Sequence, residues 1–454
     1  MIMTIYNNIP WHRIVHSIDN CSNKNNEKLI IKIINSLNRK SMINQKDLIE
    51  IERIFFIWIG AINSKSIEYI EIWKDCYKNR YTIDLYIDGE FLLFNHLKMV
   101  FNRLYNITSK TPIDMIVAYQ NELYQELYMY SSLGYTFDKA LIIIADRVGI
   151  NLRLSLKLVK LKILAIKKQI NVIDIRTINN IFYSDFLAKM YYNELTLRYN
   201  AACASDILRL SLLYHYGGMY VDVDTLPTHF PVYSKIDVSN MPVNENMLDI
   251  IKSEYLLRQI RKRNGYSIKK NICLDHIEAT IGNAPLIRRL KLCAKTNANA
   301  VYQQDRVFVH PDIMRMATIN RYYEVNNNVL IANRSSRSVR IVLREMTKRY
   351  KYLACNNLIF STESNRTKSN NYLCRLDGYR LDSLANNITT EVTLLLTGPC
   401  LIQEVLLGLC FEVCNLSKSL SPHSVSYIFR LERSFLGFAN QINYTPEHIR
   451  SSWL

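Results

Sequence analysis

Two carboxylates, Asp222 and Asp224, follow a β-prone segment and are separated by a single valine. Side chains on a strand alternate between its faces, so both carboxylates are expected to point the same way. Carboxylate oxygens repel each other unless a cation or water lies between them, and they suit hard ions such as Mg²⁺ or Mn²⁺, which also bind phosphates. A solvated loop before Pro227 is the alternative for so short a pattern. The residues just before the pair favour the metal–diphosphate interpretation.

Those preceding residues predict a helix, a glycine turn and a strand. Asp206 and Arg209 are three residues apart and therefore share one helical face, while leucines cover another face. Gly217 and Gly218 permit a tight reversal into a strand predicted over Met219 to Val223. This arrangement indicates a site for a metal-bound diphosphate.

Length and composition predict a folded enzyme with an anionic partner. The chain has 454 residues, enough for one elaborated domain or two, with 30 Tyr and 12 Gly. Its formal net charge of +17 favours a membrane surface, nucleic acid or a phosphorylated substrate. Nucleic acid is not expected as a partner, because the chain carries no arginine-rich arm and no nucleic-acid motif. The 10 cysteines form no C-x-x-C pair, which favours reduced thiols over a zinc site or disulfides.

Residues 1–52 predict an N-terminal helical segment rich in Lys and Asn. An apolar stripe between Ile30 and Leu37 lies beside basic residues, as in a helix that packs on a domain or, alternatively, lies on an anionic membrane surface. Residues 1–15 lack a basic region followed by an apolar run, so no signal peptide is expected. No uninterrupted apolar run of about 18 residues occurs, so no transmembrane helix is expected.

Residues 53–454 predict an α/β core. Its first elements are expected in strand–helix–strand order, as in a parallel nucleotide-binding sheet, over Ile54 to Gly60, Ile67 to Tyr77 and Thr82 to Asp88. Trp58 lies at the carboxyl end of the first strand, where an α/β sheet places its ligand and an indole can stack on a base. A core tryptophan is the alternative.

The rest of the chain predicts mainly helices with a few strands. Residues 90–200 contain few Gly or Pro and predict a large helical insertion, in which residues 151–168 favour a helix with a solvated cationic face. Later elements are predicted as a turn and strand over 326–332, a helix over Ser336 to Tyr352, and a buried strand over Val392 to Pro399.

These segments, in this order, resemble the catalytic glucosyltransferase domain of the large clostridial toxins and related bacterial effectors. The similarity lies in Phe56-Ile57-Trp58-Ile59-Gly60, Arg198 to Ala202, Ser205 to Arg209, Gly217 to Pro227, Gly398-Pro399 and Thr445 to Trp453. It implies a GT-A fold, a nucleotide-binding sheet core with large helical insertions that ends in a lid over 444–454. It also implies retaining transfer of a sugar from UDP-glucose or UDP-N-acetylglucosamine to a hydroxyl of a host small GTPase. Such a toxin or effector would be secreted or translocated into the host cytosol. If its N-terminal helices bind lipid rather than pack on the domain, it would lie at the inner face of the host membrane.

The resemblance also implies residue roles. Trp58 would stack on uracil, and Asp206 with Arg209 would hold the hydroxyls of the donor sugar. Tyr220 and Asp222 would contact the ribose and the sugar–phosphate region. The remaining donor-binding residues implied are Ile57, Asn200 and Ser205.

The lid and the metal are implied in the same way. Asp224 would bind Mn²⁺ or Mg²⁺, with Asp222 beside it, and Ser451 and Trp453 would close over the diphosphate. The family's lid supplies a metal-binding glutamate. Counting back from Trp453 places His448 at that position, with Glu447 next to it, so either side chain is a candidate ligand.

Two other functions stay open. The same fold could act on glycans, as a capsule or lipopolysaccharide glycosyltransferase, but the F-x-W-I-G strand and the terminal tryptophan favour the effector family. An inactive module that binds GTPases is the second alternative, and the intact set of Asp206, Arg209, Asp222 and Asp224 argues against it. No carboxylate in the signature is an obvious nucleophile, so the acceptor hydroxyl is expected to attack from the face that the phosphate leaves.

Overall fold

The computed structural model describes residues 48–77, 80–236, 245–263, 265, 272–302, 306–319, 324–363, 371–382, 384, 391–413 and 437–440. The chain divides into two compact units. The larger comprises the segment that ends at Asn63 together with Asp84–Val221 and Val307–Asn440, and the smaller contains Ser64–Ile83 and Asp222–Arg306. Residues 1–47 of the predicted N-terminal helical segment and the predicted lid lie outside the described residues, so the predicted domain boundaries stay predictions. The end of that segment is not helical as predicted, because Ile49–Glu50 form a strand.

A mixed seven-stranded sheet runs through the larger unit in the order β4-β3-β2-β5-β8-β7-β9. The strands are β1 (Ile49–Glu50), β2 (Arg53–Trp58), β3 (Thr82–Ile87), β4 (Asn171–Asp174), β5 (Gly218–Val221), β6 (Phe308–Val309), β7 (Arg315–Ile319), β8 (Glu324–Ala332) and β9 (Phe438–Asn440). Strand β2 is parallel to β5, and β3 to β4, whereas β8 is antiparallel to both β5 and β7. The sheet is therefore mixed rather than wholly parallel.

Helices surround this sheet and build the smaller unit. They are α1 (Ser64–Tyr77), α2 (Phe94–Leu104), α3 (Ile113–Ser132), α4 (Phe137–Arg147), α5 (Arg153–Ile166), α6 (Asp185–Thr196), α7 (Ala201–Tyr216), α8 (Phe230–Tyr233), α9 (Glu245–Arg263), α10 (Ile272–Ile281), α11 (Ala284–Asn297), α12 (Arg337–Cys355), α13 (Glu391–Leu396) and α14 (Pro399–Val413). The predicted opening strand–helix–strand order is confirmed by β2, α1 and β3. The helical insertion is confirmed by α2 to α6, except that it also contains β4.

The strand predicted over Val392 to Pro399 is wrong, because this segment forms α13 and the start of α14. A short apolar run fits a buried strand and a buried helix equally well. Here the Asp382 carboxylate accepts hydrogen bonds from the backbone N–H groups of Val392 and Thr393, at 3.2 and 3.1 Å, and so caps the first helical turn. Pro399 then fits the first turn of α14, where its missing N–H group costs nothing. The turn predicted at 326–328 is also wrong, since these residues belong to β8.

Among the described residues, the stretch Val392–Leu409 is long and apolar enough to cross a membrane. It is 72% buried inside the protein. Its leucines and valines, such as Leu396, Leu401 and Val405, belong to the core of the larger unit. Burial in this core accounts for the apolar composition, as in the central helix of a globular domain.

A buried group of charges ties α12 to α14. The Arg349 guanidinium donates to Glu345 Oε1 at 3.0 Å, and also to the Glu404 carboxylate and the Leu395 carbonyl. Arg349 bonds Oε2 of Glu404, and Arg375 donates to Oε1 of the same carboxylate at 2.9 Å. The side chains of Arg349, Glu345 and Glu404 have no exposed area, so each charge depends on its partners.

Replacing Arg349 by methionine should lower the free energy of unfolding by about 3–5 kcal/mol, because the two buried glutamates lose their shared cation. Urea denaturation would measure this loss. Lys351→Met is the matched control, since Lys351 lies exposed on the same helix and should change stability by less than about 0.5 kcal/mol. Similar losses in both variants would contradict the assignment of this cation to the core.

Candidate functional site

Helix α7 begins and ends at residues suited to those positions. The Asn200 side chain accepts a hydrogen bond from the Cys203 N–H at 3.0 Å, which caps the helix, and its amide donates to Thr393 Oγ1 at 2.9 Å. The helix ends at Gly217, which has a φ of +68°. A side chain there would meet the backbone nitrogen of Arg334 at 2.5 Å, so only glycine fits. Asn200 thus fixes the start of α7, and its predicted contact with the donor stays a prediction.

The predicted shared face of Asp206 and Arg209 is confirmed. Arg209 Nε lies 3.3 Å from Asp206 Oδ1, and both side chains are buried. Asn327 Nδ2 donates to Asp206 Oδ1 at 2.9 Å, and Thr397 Oγ1 donates to Asp206 Oδ2 at 2.8 Å. Both carboxylate oxygens are therefore held in place, and Asp206 is a fixed acceptor rather than a mobile one.

The Arg209 guanidinium is held equally firmly. It donates to the Asn327 carbonyl at 2.9 Å and to Ser205 Oγ at 3.2 Å. Its central carbon lies 4.3 Å from the centre of the Tyr220 ring. Tyr220 is fully buried on β5, where it pairs with Phe55 of β2. Ser205 and Tyr220, both predicted to contact the donor, thus lie against Arg209 and fix its orientation.

Burial raises the pKa of Asp206 to about 6, although Arg209, Thr397 and Asn327 all favour its charged form. A carboxyl group whose pKa is higher in the folded state stabilises the fold below its usual pKa of 3.8. That contribution is lost as the pH rises through about 6. Asp206 therefore makes stability depend on pH in the weakly acidic range.

Between about pH 4 and pH 7, the free energy of unfolding of the parent should fall by about 3 kcal/mol relative to that of the Asp206→Asn variant. The variant lacks this pH dependence because its amide cannot ionise. Denaturant titrations across this range would measure the difference. Thr397→Val removes a hydrogen bond that favours the charged form and should extend the loss to higher pH. Parallel pH profiles for the parent and Asp206→Asn would contradict this assignment.

Asp222 and Asp224 lie in the turn that follows β5. The strand ends at Val221, so the prediction of a strand through Val223 is wrong. The alternation of burial predicted for these residues is nevertheless present. Asp222 and Asp224 are half-buried, and Val223 between them is buried. In the smaller unit, the Trp73 indole N–H donates to the Thr225 carbonyl at 2.7 Å, which anchors the end of this turn.

Trp58 is the last residue of β2 and is 8% exposed, while Ile57 before it is buried. Its place at the carboxyl end of the strand is the one predicted. The stacking of its indole on uracil stays a prediction.

A family model of the TcdA/TcdB catalytic glycosyltransferase domain matches residues 118–377, more than half of the chain. The chain belongs to this family. The matched range contains Asp206, Arg209, Asp222 and Asp224, the four residues around which the sequence interpretation is built. The predicted resemblance to the clostridial toxin domains is confirmed.

Curated members of the TcdA/TcdB family are much longer than this chain. Cytotoxin-L of Paraclostridium sordellii is 27% identical over an alignment of 330 residues, and the alignment covers 67% of this chain and 14% of that protein. Toxin A of Clostridium novyi is 28% identical over 244 residues, covering 48% of this chain and 11% of the toxin. The chain therefore spans a small part of the length of these relatives.

Solved structures of family domains show the same fold. The catalytic domain of alpha-toxin from Clostridium novyi matches with a TM-score of 0.69 at 19% identity, covering 99% of this chain and 88% of that domain. The UDP-bound glycosyltransferase domain from the YGT toxin matches with a TM-score of 0.62 at 18% identity, covering 89% of this chain and 82% of that domain. The predicted α/β glycosyltransferase fold is thus confirmed.

Of the residues predicted to bind a metal ion, only Asp222 and Asp224 lie in the described part of the chain. Among the described residues, no three His, Cys, Asp or Glu side chains are grouped to hold an ion. Asp222 and Asp224 are half-buried and carry the hard oxygen donors that Mn²⁺ and Mg²⁺ prefer. The candidate lid ligands Glu447 and His448, together with Ser451 and Trp453, lie outside the described residues.

Two residues of the site were missed by the sequence interpretation. Asn327 and Thr397 between them bond both oxygens of Asp206, and Asn327 also accepts from Arg209. Each lies in a segment whose secondary structure was predicted wrongly. A polar residue inside an apolar run, such as Thr397 just before Gly398, is the signal that could have indicated a buried partner.

A second buried ion pair supports α7 from its N-terminal side. Arg198 donates to Glu194 Oε2 at 2.8 Å and to Asp382 Oδ2 at 3.2 Å. Its guanidinium lies 4.0 Å from the Tyr379 ring centre. Asp382 also accepts from Thr393 Oγ1 at 2.8 Å. This network joins α6, α13 and the segment before α7, and it resembles the setting of Arg209 without sharing its residues.

Proposed function

We propose that this chain is a retaining glycosyltransferase that moves a sugar from a UDP-sugar to a hydroxyl of a host protein. The observation that carries this proposal is the buried Asp206–Arg209 pair, whose four polar contacts hold two donor-recognising groups in fixed positions. The YGT toxin domain, which has the same fold, was solved with UDP bound. UDP-glucose and UDP-N-acetylglucosamine are the donors proposed.

In this proposal Asp206 accepts hydrogen bonds from the hydroxyls of the donor sugar, and Arg209 donates to them. Preorganised groups of this kind recognise a ligand without paying the cost of ordering themselves on binding. Trp58 and Ile57 bind the base, and Tyr220, Ser205 and Asn200 keep the pocket in shape. Recognition of the sugar is thereby separated from recognition of the nucleotide.

Asp222 and Asp224 are proposed to hold Mn²⁺ or Mg²⁺, with His448 or Glu447 as a further ligand. When bound, the ion offsets the negative charge that builds up on the UDP diphosphate as the sugar leaves. Ser451 and Trp453 are proposed to close over the diphosphate, where the indole N–H of Trp453 can donate to the bridging oxygen. Closure of such a lid also keeps water away from the reacting bond.

Retention is proposed to follow from attack by the acceptor on the face that UDP leaves. A double displacement needs a carboxylate oxygen that is free to attack the sugar. Asp206 is poorly suited to that task, since Asn327 and Thr397 each bond one of its oxygens. The acceptor proposed is a small GTPase in the host cytosol, reached by a secreted or translocated toxin or effector.

Purified protein should be incubated with Mn²⁺, UDP-glucose or UDP-N-acetylglucosamine, and a eukaryotic cell lysate, followed by mass spectrometry of the labelled proteins. A hexose or N-acetylhexosamine on a small GTPase would support the proposal. Labelled capsule or lipopolysaccharide from a bacterial lysate would favour glycan transfer instead. Binding of a GTPase without any donor turnover would identify an inactive binding module.

UDP should quench the tryptophan fluorescence of the parent, because stacking brings uracil against the Trp58 indole. The quench should be much smaller in Trp58→Phe, and Trp58→Ala should weaken UDP binding by about tenfold or more. Trp73→Phe is the matched control, since Trp73 is buried and its N–H binds the Thr225 carbonyl. Equal quenching in the parent, Trp58→Phe and Trp73→Phe would show that Trp58 has a purely structural role.

A further inference from the structure

Helix α5 carries two apolar faces. Val159 and Ile163 are buried and lie on one face of the helix. Leu154, Leu158 and Leu161 lie on the opposite side and are 63%, 57% and 53% exposed. Spacings of four and three residues place these three leucines on one line along the helix. The chain thus presents a row of leucines to solvent where a helix of a globular domain normally presents polar side chains.

The same helix is strongly cationic. Residues 147–173 contain no Asp or Glu. Exposed lysines flank the leucine row at positions 157, 160, 167 and 168. The other two cations of the helix are already engaged, as Arg153 pairs with Asp146 at 2.5 Å and Lys162 donates to the Ile62 carbonyl. The exposed lysines therefore form a positive border around an apolar row.

An open hollow of about 320 Å³ adjoins the row. Leu161 and Leu164 line it together with Ile142 of α4, and Lys157 and Lys160 line it as well. Leu164 is itself 57% exposed. An apolar group entering this hollow would therefore lie beside two lysines.

We propose that this leucine row and its lysine border, the α5 face, bind the surface of an anionic lipid bilayer. Leucines that enter the acyl boundary while lysines extend to the headgroups are the composition of interfacial helices. Lysine is depleted from protein interfaces, and the tryptophan, tyrosine and arginine side chains that dominate their binding energy are absent from this row. A flat, negatively charged membrane therefore fits the α5 face better than a protein groove does.

This site is separate from the proposed transfer chemistry and from the predicted N-terminal membrane helices. The residues that bond the Asp206 and Arg209 side chains in these four hydrogen bonds are Ser205, Asn327 and Thr397, and they do not belong to the α5 face. Variants of its leucines should leave UDP-sugar hydrolysis in solution unchanged. Hydrolysis thus reports correct folding, independently of membrane binding.

The full chain should be co-sedimented with phosphatidylcholine vesicles that contain or lack about 30 mol % phosphatidylserine. We expect binding only to the anionic vesicles, and a loss of about tenfold or more in partitioning for the Leu154→Ser, Leu158→Ser, Leu161→Ser triple variant. Leu133→Ser with Leu292→Ser is the matched control, because those leucines are 65% and 58% exposed elsewhere. Undiminished partitioning of a folded triple variant, or no binding by the parent, would overturn the proposal.

A local probe separates α5 from any contribution of residues 1–52. Leu158→Trp adds an indole to the row, and vesicles with brominated acyl chains should quench its added emission, whereas the added emission of Leu292→Trp should not change. Equal quenching at both positions would overturn the proposal.

An acidic amphipathic peptide of Leu and Glu tests whether the α5 face binds a protein helix instead of a membrane. If the triple variant lost binding to this peptide and kept its binding to vesicles, the α5 face would be a protein-docking surface instead.

Discussion

Replacing Asp222 and Asp224 together by asparagine is expected to lower UDP-sugar turnover by about two to three orders of magnitude. Both side chains are half-buried in the turn after β5. Asparagine keeps the shape but removes the negative charges that bind a divalent ion. Hydrolysis of UDP-glucose at increasing Mn²⁺ would measure the effect, since weakened ion binding raises the Mn²⁺ concentration needed for activity.

Urea denaturation of the parent and of the same variant would show whether the variant still folds, so that its turnover can be compared with that of the parent. A control with Asp185→Asn and Asp275→Asn, both exposed, should keep full activity. A double variant at 222 and 224 that hydrolyses the donor as fast as the parent would refute the metal assignment. Loss of both the folded state and the activity would show that the aspartates are needed for the turn to fold.

The elements around the site were predictable where local pattern decides structure. Strand β2 is a short apolar run closed by glycine, and α7 has a capping asparagine at one end and a glycine with positive φ at the other. Each of these signals lies in the element that it defines or within two residues of its end. The three-residue spacing of Asp206 and Arg209 likewise needs only helical geometry. Their shared helical face therefore follows from the sequence alone, whereas their ion pair is seen only in the structure.

The surroundings of that pair depend on residues far away in the chain. Asp206 is bonded by Asn327 and Thr397, which follow it by 121 and 191 residues. No local pattern reports such a contact. The segment at 392–396 is helical because the carboxylate of Asp382 caps it, and a reading of the apolar run alone cannot include that cap. The partners of the pair were thus inaccessible to sequence patterns, although Asp206 and Arg209 themselves were not.

Arg209→Lys is expected to lower kcat/KM for UDP-glucose hydrolysis by about 100-fold while changing the affinity for UDP by less than about threefold. Lysine keeps the charge but cannot reproduce a planar group that bonds Ser205 and Asn327 while lying over Tyr220. In the proposed function Arg209 holds the sugar, which UDP lacks. Kinetics with UDP-glucose and competition by UDP would separate the two effects.

Arg198→Lys is the matched control for this test. Arg198 is as deeply buried as Arg209, bonds Glu194 and Asp382, and lies over Tyr379 in the same manner. A lysine there should lower the free energy of unfolding by about 1–3 kcal/mol, because buried acceptors lose their donors. The preference of the remaining folded protein for UDP-glucose over UDP should be unchanged. If Arg209→Lys weakened UDP and UDP-glucose equally, Arg209 would support the pocket as Arg198 does, and sugar recognition would belong to other residues.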